Sequence, residues 1–277
     1  MAYNRIIASL LTALVITAFS FMGIAQQNEF GVVGGISNYF GDLNTNTSFQ
    51  LMKPSFGAYY RYNYDSRLCA KLQLGFAKVE GNDALANNYY QIQRNLSFYS
   101  DIFEVALTGE FNFMDYDSKN PKHYFTPYLC TGISVFNFDP RTTFQGEEYR
   151  LQPIGTEGQG LPQYPDREPY KLVSRAWIIG GGFKFRINRY FSTFIEIANR
   201  KTRTDYLDDV STTYADRQIM FSEGGPLKVL LSDRSLEVGD VPIGTTSRMR
   251  GDERKRDDYF MALLGLSFTI NTYKCPF

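Results

Sequence analysis

The chain has 277 residues, with 29 Lys and Arg against 29 Asp and Glu, and a formal net charge of zero argues against a nucleic-acid or acidic partner. Tyrosine (20), phenylalanine (23) and glycine (23) are abundant and tryptophan occurs once, a composition odd for a secreted soluble enzyme but suited to a barrel wall with aromatic girdles. Past residue 25 no run of 18 or more apolar residues remains, so no transmembrane helix is available there.

Residues 1–5 are a short, weakly basic start, an apolar run covers 6–24, and Gly23-Ile24-Ala25 places small residues at the −3 and −1 positions of a cleavage site. The expectation is a cleaved signal peptide over 1–25 and one domain over 26–277, the competing reading being a membrane anchor. No Cys follows the cleavage site, which argues against a lipoprotein. Cys69, Cys130 and Cys275 are an odd number for an oxidising compartment, so at least one stays free or pairs between chains, and they have no metal spacing.

Eight strands are predicted in chain order, over 29–40, 53–63, 68–79, 101–113, 123–137, 175–187, 190–201 and 258–270. They are longer than typical soluble strands and match tilted strands crossing a bilayer. In the third, Leu68, Ala70, Leu72, Leu74 and Phe76 oppose Lys71 and Gln73. In the fourth, Phe103, Val105, Leu107, Phe111 and Phe113 share one face, and Glu104, Thr108, Glu110 and Asn112 the other. Trp177, Ile179, Phe183, Phe185 and Ile187 of the sixth oppose Lys184 and Arg186. The last strand alternates more weakly, because Met261 and Leu263 stand among Gly265, Ser267 and Thr269 on its second face.

The connections alternate without exception. Those over 64–67, 114–122 and 188–189 are short; those over 41–52, 80–100, 138–174 and 202–257 are long. Outer-membrane barrels have this asymmetry of tight periplasmic turns and long extracellular loops. The expected fold is therefore all-β, a closed transmembrane antiparallel barrel of eight strands in a bacterial outer membrane. The alternative has ten, with an extra hairpin around 227–238.

Eight strands enclose a lumen filled by side chains. Inside, Arg61, Lys71, Lys184 and Arg186 can neutralise Glu104, Glu110 and Glu196 as a structural network; an ion or proton path is the competing reading. The only histidine, His123, falls beside a short turn, away from the outer rim where a hydrolytic barrel would need a general base. No nucleophile elbow, zinc-protease or phosphate-loop motif is present, so no catalytic residue, metal, cofactor or small-molecule substrate is implied.

Two long-loop segments stand out. Gly155, Thr156, Glu157, Gly158, Gln159 and Gly160 form a glycine-punctuated loop suited to closing the barrel mouth or docking a partner. Asp205, Tyr206, Asp208 and Asp209 lie in an acidic loop that lacks the rhythm of a calcium loop; it reads as solvated or hydrogen-bonded, with calcium ligation the competing reading. The alternating charges over 248–258 read as a solvated loop.

These segments, with YFGDL (39–43), YRLQPIGTEGQG (149–160), RKTRTDYLDDVSTTY (200–214) and the final strand, carry a resemblance. The chain resembles the PorG-like family of Bacteroidetes outer-membrane proteins associated with type IX secretion and gliding. The resemblance implies a non-enzymatic assembly role, in contact with outer-membrane lipid and with the periplasmic ring formed by a lipoprotein and its partner. A stand-alone barrel for adhesion or envelope stability is the other expectation.

Overall fold

Strict two-residue alternation builds the wall. The computed structural model describes residues 27–45, 48–117, 121–251 and 256–271; the expected signal peptide, the domain start at Gln26, and Cys275 lie outside them. In chain order the strands are β1 (Gln27–Phe40), β2 (Lys53–Asn63), β3 (Leu68–Asn82), β4 (Ser97–Asn112), β5 (Phe125–Asn137), β6 (Pro140–Phe144), β7 (Glu147–Arg150), β8 (Val173–Arg186), β9 (Phe191–Thr202) and β10 (Asp258–Asn271). Helices α1 (Tyr89–Arg94), α2 (Leu151–Ile154) and α3 (Arg217–Ser232) occupy the long connections.

Eight of the strands close into a ring. Each of β1 to β4 pairs antiparallel with the next, β5 passes to β8, and β8, β9 and β10 follow. The ring shuts where β1 meets β10, from Gln27↔Asn271 to Phe40↔Asp258. Closure leaves no ladder edge in hydrocarbon, the condition a lipid-exposed sheet must meet. Both ends of the described chain therefore lie with the short turns, and the long connections lie at the opposite, extracellular end.

The wall is polarised opposite to a soluble sandwich. Val32, Phe103 and Ile197 point outward at 60%, 63% and 60% exposure, whereas Arg61 and Glu110 point inward at 1% and 2%. The outward faces of all eight ring strands carry exposed or half-exposed apolar side chains, and such a surface is stable only against lipid. From Phe103 to Phe111 and on to Phe113 the belt runs ten residues, roughly 33 Å of strand and ~25 Å of height at a usual barrel tilt.

The ten-strand alternative misplaced its hairpin. Residues 227–232 are the end of α3, and a 3-10 turn, Ser235–Glu237, follows. Asp216 caps the helix by accepting from the amides of Gln218 and Ile219, and helical spacing packs Met220 and Val229 against Leu161 and Ala215. The helix kinks at Gly225 (φ 73°), next to Pro226. The extra hairpin is β6–β7. It joins the top of β4 through Ser100↔Pro140 and Tyr99↔Arg141, above the ring.

Two inward glycines let aromatic rings cross the lumen. A Cβ at Gly31 would meet the Tyr59 ring at 2.4 Å, and one at Gly265 the Phe194 ring at 2.2 Å. Tyr59 and Phe194 meet edge to face at 5.4 Å. The mixed inner face of β10 is thus part of the filling, with Met261, Leu263, Ser267 and Thr269 all buried.

Candidate functional site

The lumen charges converge on Glu110 of β4. Its carboxylate lies 2.6 Å from Lys184 Nζ, 2.9 Å from Arg61 Nε and 3.5 Å from Lys71 Nζ. Arg61 reaches Glu29 at 2.9 Å, and Lys71 reaches Glu196 at 2.6 Å. Tyr128 donates to Glu196 at 2.8 Å, and Lys184 donates to Asn112 Oδ1 at 2.9 Å. Three cations therefore face the three carboxylates Glu29, Glu110 and Glu196, so the layer is neutral. It also ties together β1, β2, β3, β4, β5, β8 and β9. The Arg61 guanidinium carbon lies 4.8 Å from the centre of the Phe194 ring, close enough for a cation–π contact.

A second layer, nearer the mouth, pairs Glu104 with Arg200 at 3.4 Å and receives the Tyr259 hydroxyl of β10 at 2.7 Å. Above it the aromatic side chains of Tyr39, Phe98, Phe136 and Phe138 are fully buried.

Of the residues expected in the lumen, Arg61, Lys71, Glu104, Glu110, Lys184 and Glu196 are buried there. Arg186 is the correction. It is half-buried at the last position of β8, beside the short turn, and makes no ion pair among the described residues. Geometry explains this: Arg186 sits two residues below Lys184, past the carboxylate layer. Sequence reasoning missed Glu29, the third carboxylate of the lower layer, and Arg200, the partner of Glu104 in the upper one. The inward alternation of Glu196, Ala198 and Arg200 was the available signal, but Arg200 opens a motif that reads as loop.

The mouth is sealed by loops. Gly155 ends α2 at φ 64° and turns the chain inward, where Thr156 and Glu157 are fully buried. Glu157 accepts from the amides of Ser211 (2.9 Å) and Thr212 (3.0 Å), from the Thr212 hydroxyl (2.6 Å) and from Arg250 (3.2 Å). Tyr206 donates to it at 3.4 Å, and Gln159 Oε1 accepts from the Glu157 amide at 2.9 Å. Gly158 (φ 84°) and Gly160 (φ 76°) complete the turn.

Asp209 accepts from the hydroxyls of Thr156 and Tyr170 and has Arg250 Nη2 at 3.9 Å. Tyr170 stacks on Tyr206 at 4.6 Å. A second arginine, Arg94, binds Asp83 at 2.7 Å and donates to the Asp42 carbonyl at 2.9 Å. Asp208 instead accepts from Tyr39 at 2.5 Å, and the same hydroxyl lies 3.0 Å from Asp257.

Of the readings of the acidic loop, the hydrogen-bonded one describes it: Asp208 and Asp209 are buried, and Asp205 is half-buried while accepting from the Ser211 hydroxyl at 2.6 Å. The run over 248–258, expected to be solvated, is corrected in part, since Arg250 and Asp257 are buried; residues 252–255 lie outside the described residues. Asp205, Asp208 and Asp209 turn to different partners, and the described residues contain no group of three His, Cys, Asp or Glu arranged to hold a metal.

Burial pushes the Asp209 carboxyl up to about 6, against the pull of Arg250. Asp208 and Asp257 are raised well above the usual carboxylate range by burial and then by neighbouring carboxylates. Burial also lifts the Tyr206 phenol to about 12. His123, half-buried, lies just before β5 at the short-turn end. Cys69 and Cys130 are buried, free and inside the wall.

A family model described as "Domain of unknown function (DUF6089)" matches residues 8–153, 146 of the chain's 277. No curated protein matches the chain in sequence. Among solved structures the chain is similar to the N-terminal β-barrel domain of Pseudomonas aeruginosa OprF, at 11% identity, 90% coverage of this chain, 100% of that chain and TM-score 0.38. It is similar to Neisserial surface protein A at 5% identity, 89% and 98% coverage and TM-score 0.41. It is also similar to the outer membrane enzyme PagL at 12% identity, 86% and 97% coverage and TM-score 0.32. The lipid-facing belt, the ring closure and the turn asymmetry make the molecule an outer-membrane β-barrel.

Proposed function

We propose, from the premise that the chain belongs to the DUF6089 family, that it is a non-enzymatic assembly component of the outer membrane serving the type IX secretion machinery. One observation carries the assembly role: the lumen is filled by paired charges and the mouth is sealed by buried loop contacts. A lumen so filled offers no conduit among the described residues, so the work of the barrel falls on surfaces that meet lipid and other proteins. The connection to type IX secretion is supported by the resemblance of the segments over 149–160 and 200–214 to PorG-like proteins. A periplasmic ring of a lipoprotein and its partner would meet the short turns, where Tyr64 and Asp65 are exposed.

The test is deletion of the gene, followed by measurement of cargo in the medium, with photo-crosslinkers at Asp65 and at Val241 in the extracellular cap. The reading expects cargo retention and crosslinks to periplasmic proteins from Asp65. Normal export from the deletion strain would overturn it, and impaired adhesion or envelope integrity with export intact would select the stand-alone role.

A further inference from the structure

The outer wall carries an unbalanced pair of cations. Beyond the last ladder pair of β8 and β9, Ala176↔Thr202, the Arg203 amide still donates to the Arg175 carbonyl at 2.9 Å, which sets the two arginines opposite one another. Both are exposed. Their neighbours Ala176 and Thr202 are buried, so the alternation turns both arginines outward with Val173, Trp177, Ile197 and Lys201. Neither makes an ion pair or a side-chain hydrogen bond among the described residues. Like charges placed directly opposite on a strand pair destabilise it. Lys201, level with Trp177, adds a third cation; its one carboxylate partner among the described residues, Asp258, lies 3.8 Å away.

Depth identifies what is missing. Arg175 stands ten residues above Phe185, which is roughly 33 Å of strand and ~25 Å of height, the full extent of a barrel's apolar band. Trp177, the only tryptophan, sits one outward position below Arg175 and half-exposed, where indoles mark the membrane interface. The arginines are thus level with the headgroups of the outer leaflet. A phosphate there can receive both guanidinium groups and remove their repulsion, with Lys201 alongside.

We propose that Arg175, Arg203 and Lys201 form a binding site for the phosphate of an outer-leaflet lipid headgroup. This site is independent of any secretion partner.

The test uses the full barrel folded into phosphatidylcholine vesicles with added lipid A, either bearing its two phosphates or enzymatically dephosphorylated. Unfolding is followed by Trp177 fluorescence. The phosphorylated lipid should raise the wild-type midpoint by several degrees over the dephosphorylated one. R175Q/R203Q should lose that increment, and R203Q alone most of it. In phosphatidylcholine alone, whose single phosphodiester charge is already offset by its own choline, both variants should match or exceed the wild type, since the like-charge pair is gone. Equal increments in wild type and variants, or none in either, would overturn the site. Reproduction of the increment by millimolar inorganic phosphate in phosphatidylcholine vesicles would overturn its assignment to lipid.

Discussion

The lower lumen and the extracellular cap both bury charge, but by different routes. In the lumen each charged side chain comes from a strand, held by ladder register, and three cations meet three carboxylates. In the cap the charges come from loops far apart in sequence: Glu157, Asp209 and Arg250, with Arg94 and Asp83 beside them. Tyr39 further gathers Asp208 and Asp257, with no cation paired to either among the described residues. The lumen network is therefore charge-balanced, whereas burial in the cap raises the carboxyl groups of Asp208, Asp209 and Asp257.

Breaking the neutral layer should have the largest effect. Glu110→Gln leaves Arg61, Lys71 and Lys184 competing for two carboxylates, and removing one partner of a buried ion pair typically costs about 3–5 kcal/mol. Urea unfolding of the barrel folded in vesicles should show that loss. Adding Lys184→Met, which restores the charge balance, should recover a substantial part of it. If the double variant is as unstable as the sum of the singles, the charges do not act as one network.

A smaller and more local effect is expected in the cap. Glu157→Gln weakens hydrogen bonds to an ionised acceptor, each worth roughly 1.5–3 kcal/mol. Proteolysis within 202–251 should accelerate while the unfolding midpoint of the wall barely moves. A matching fall in the midpoint would show that wall and cap unfold as one unit.

The contrast also has a pH signature. Asp209 has a folded-state value of about 6, above the ordinary carboxylate value near ~3.9, so the folded cap binds the extra proton. Its contribution is greatest below the unfolded value and is lost as pH rises through about 6. Asp208 and Asp257 are raised too and act in the same direction. Hydrogen-exchange protection of residues 205–215 should therefore increase from pH 7 to pH 5, and Asp209→Asn should flatten part of that change. Falling protection over this interval would contradict the shift. The smallest effect is expected from Gly158→Ala, where φ of 84° and a Cβ 2.9 Å from the Tyr164 ring cost about 1–3 kcal/mol confined to the loop.

How much of this was legible follows from the same contrast. Lipid on one side and packed charge on the other impose alternation on every wall strand, so Phe103, Val105 and Leu107 against Glu104 and Glu110 could be read directly. Arg200 escaped because it closes a strand while opening a loop-like motif. The cap was illegible for a different reason. Glu157 and Arg250 are 93 residues apart, and no local pattern in the charged run around Arg250 says that one arginine turns inward. Helix α3 was hidden by Gly224, Gly225 and Pro226 at its centre, which read as a break between segments.

The central claim is that the ring is filled and sealed, so that the protein acts through its surfaces. Single-channel recording of the purified barrel in a planar bilayer tests this most directly. The account predicts a silent bilayer at neutral pH, with no stable conductance steps. Reproducible unitary steps from the intact wild-type protein would contradict it.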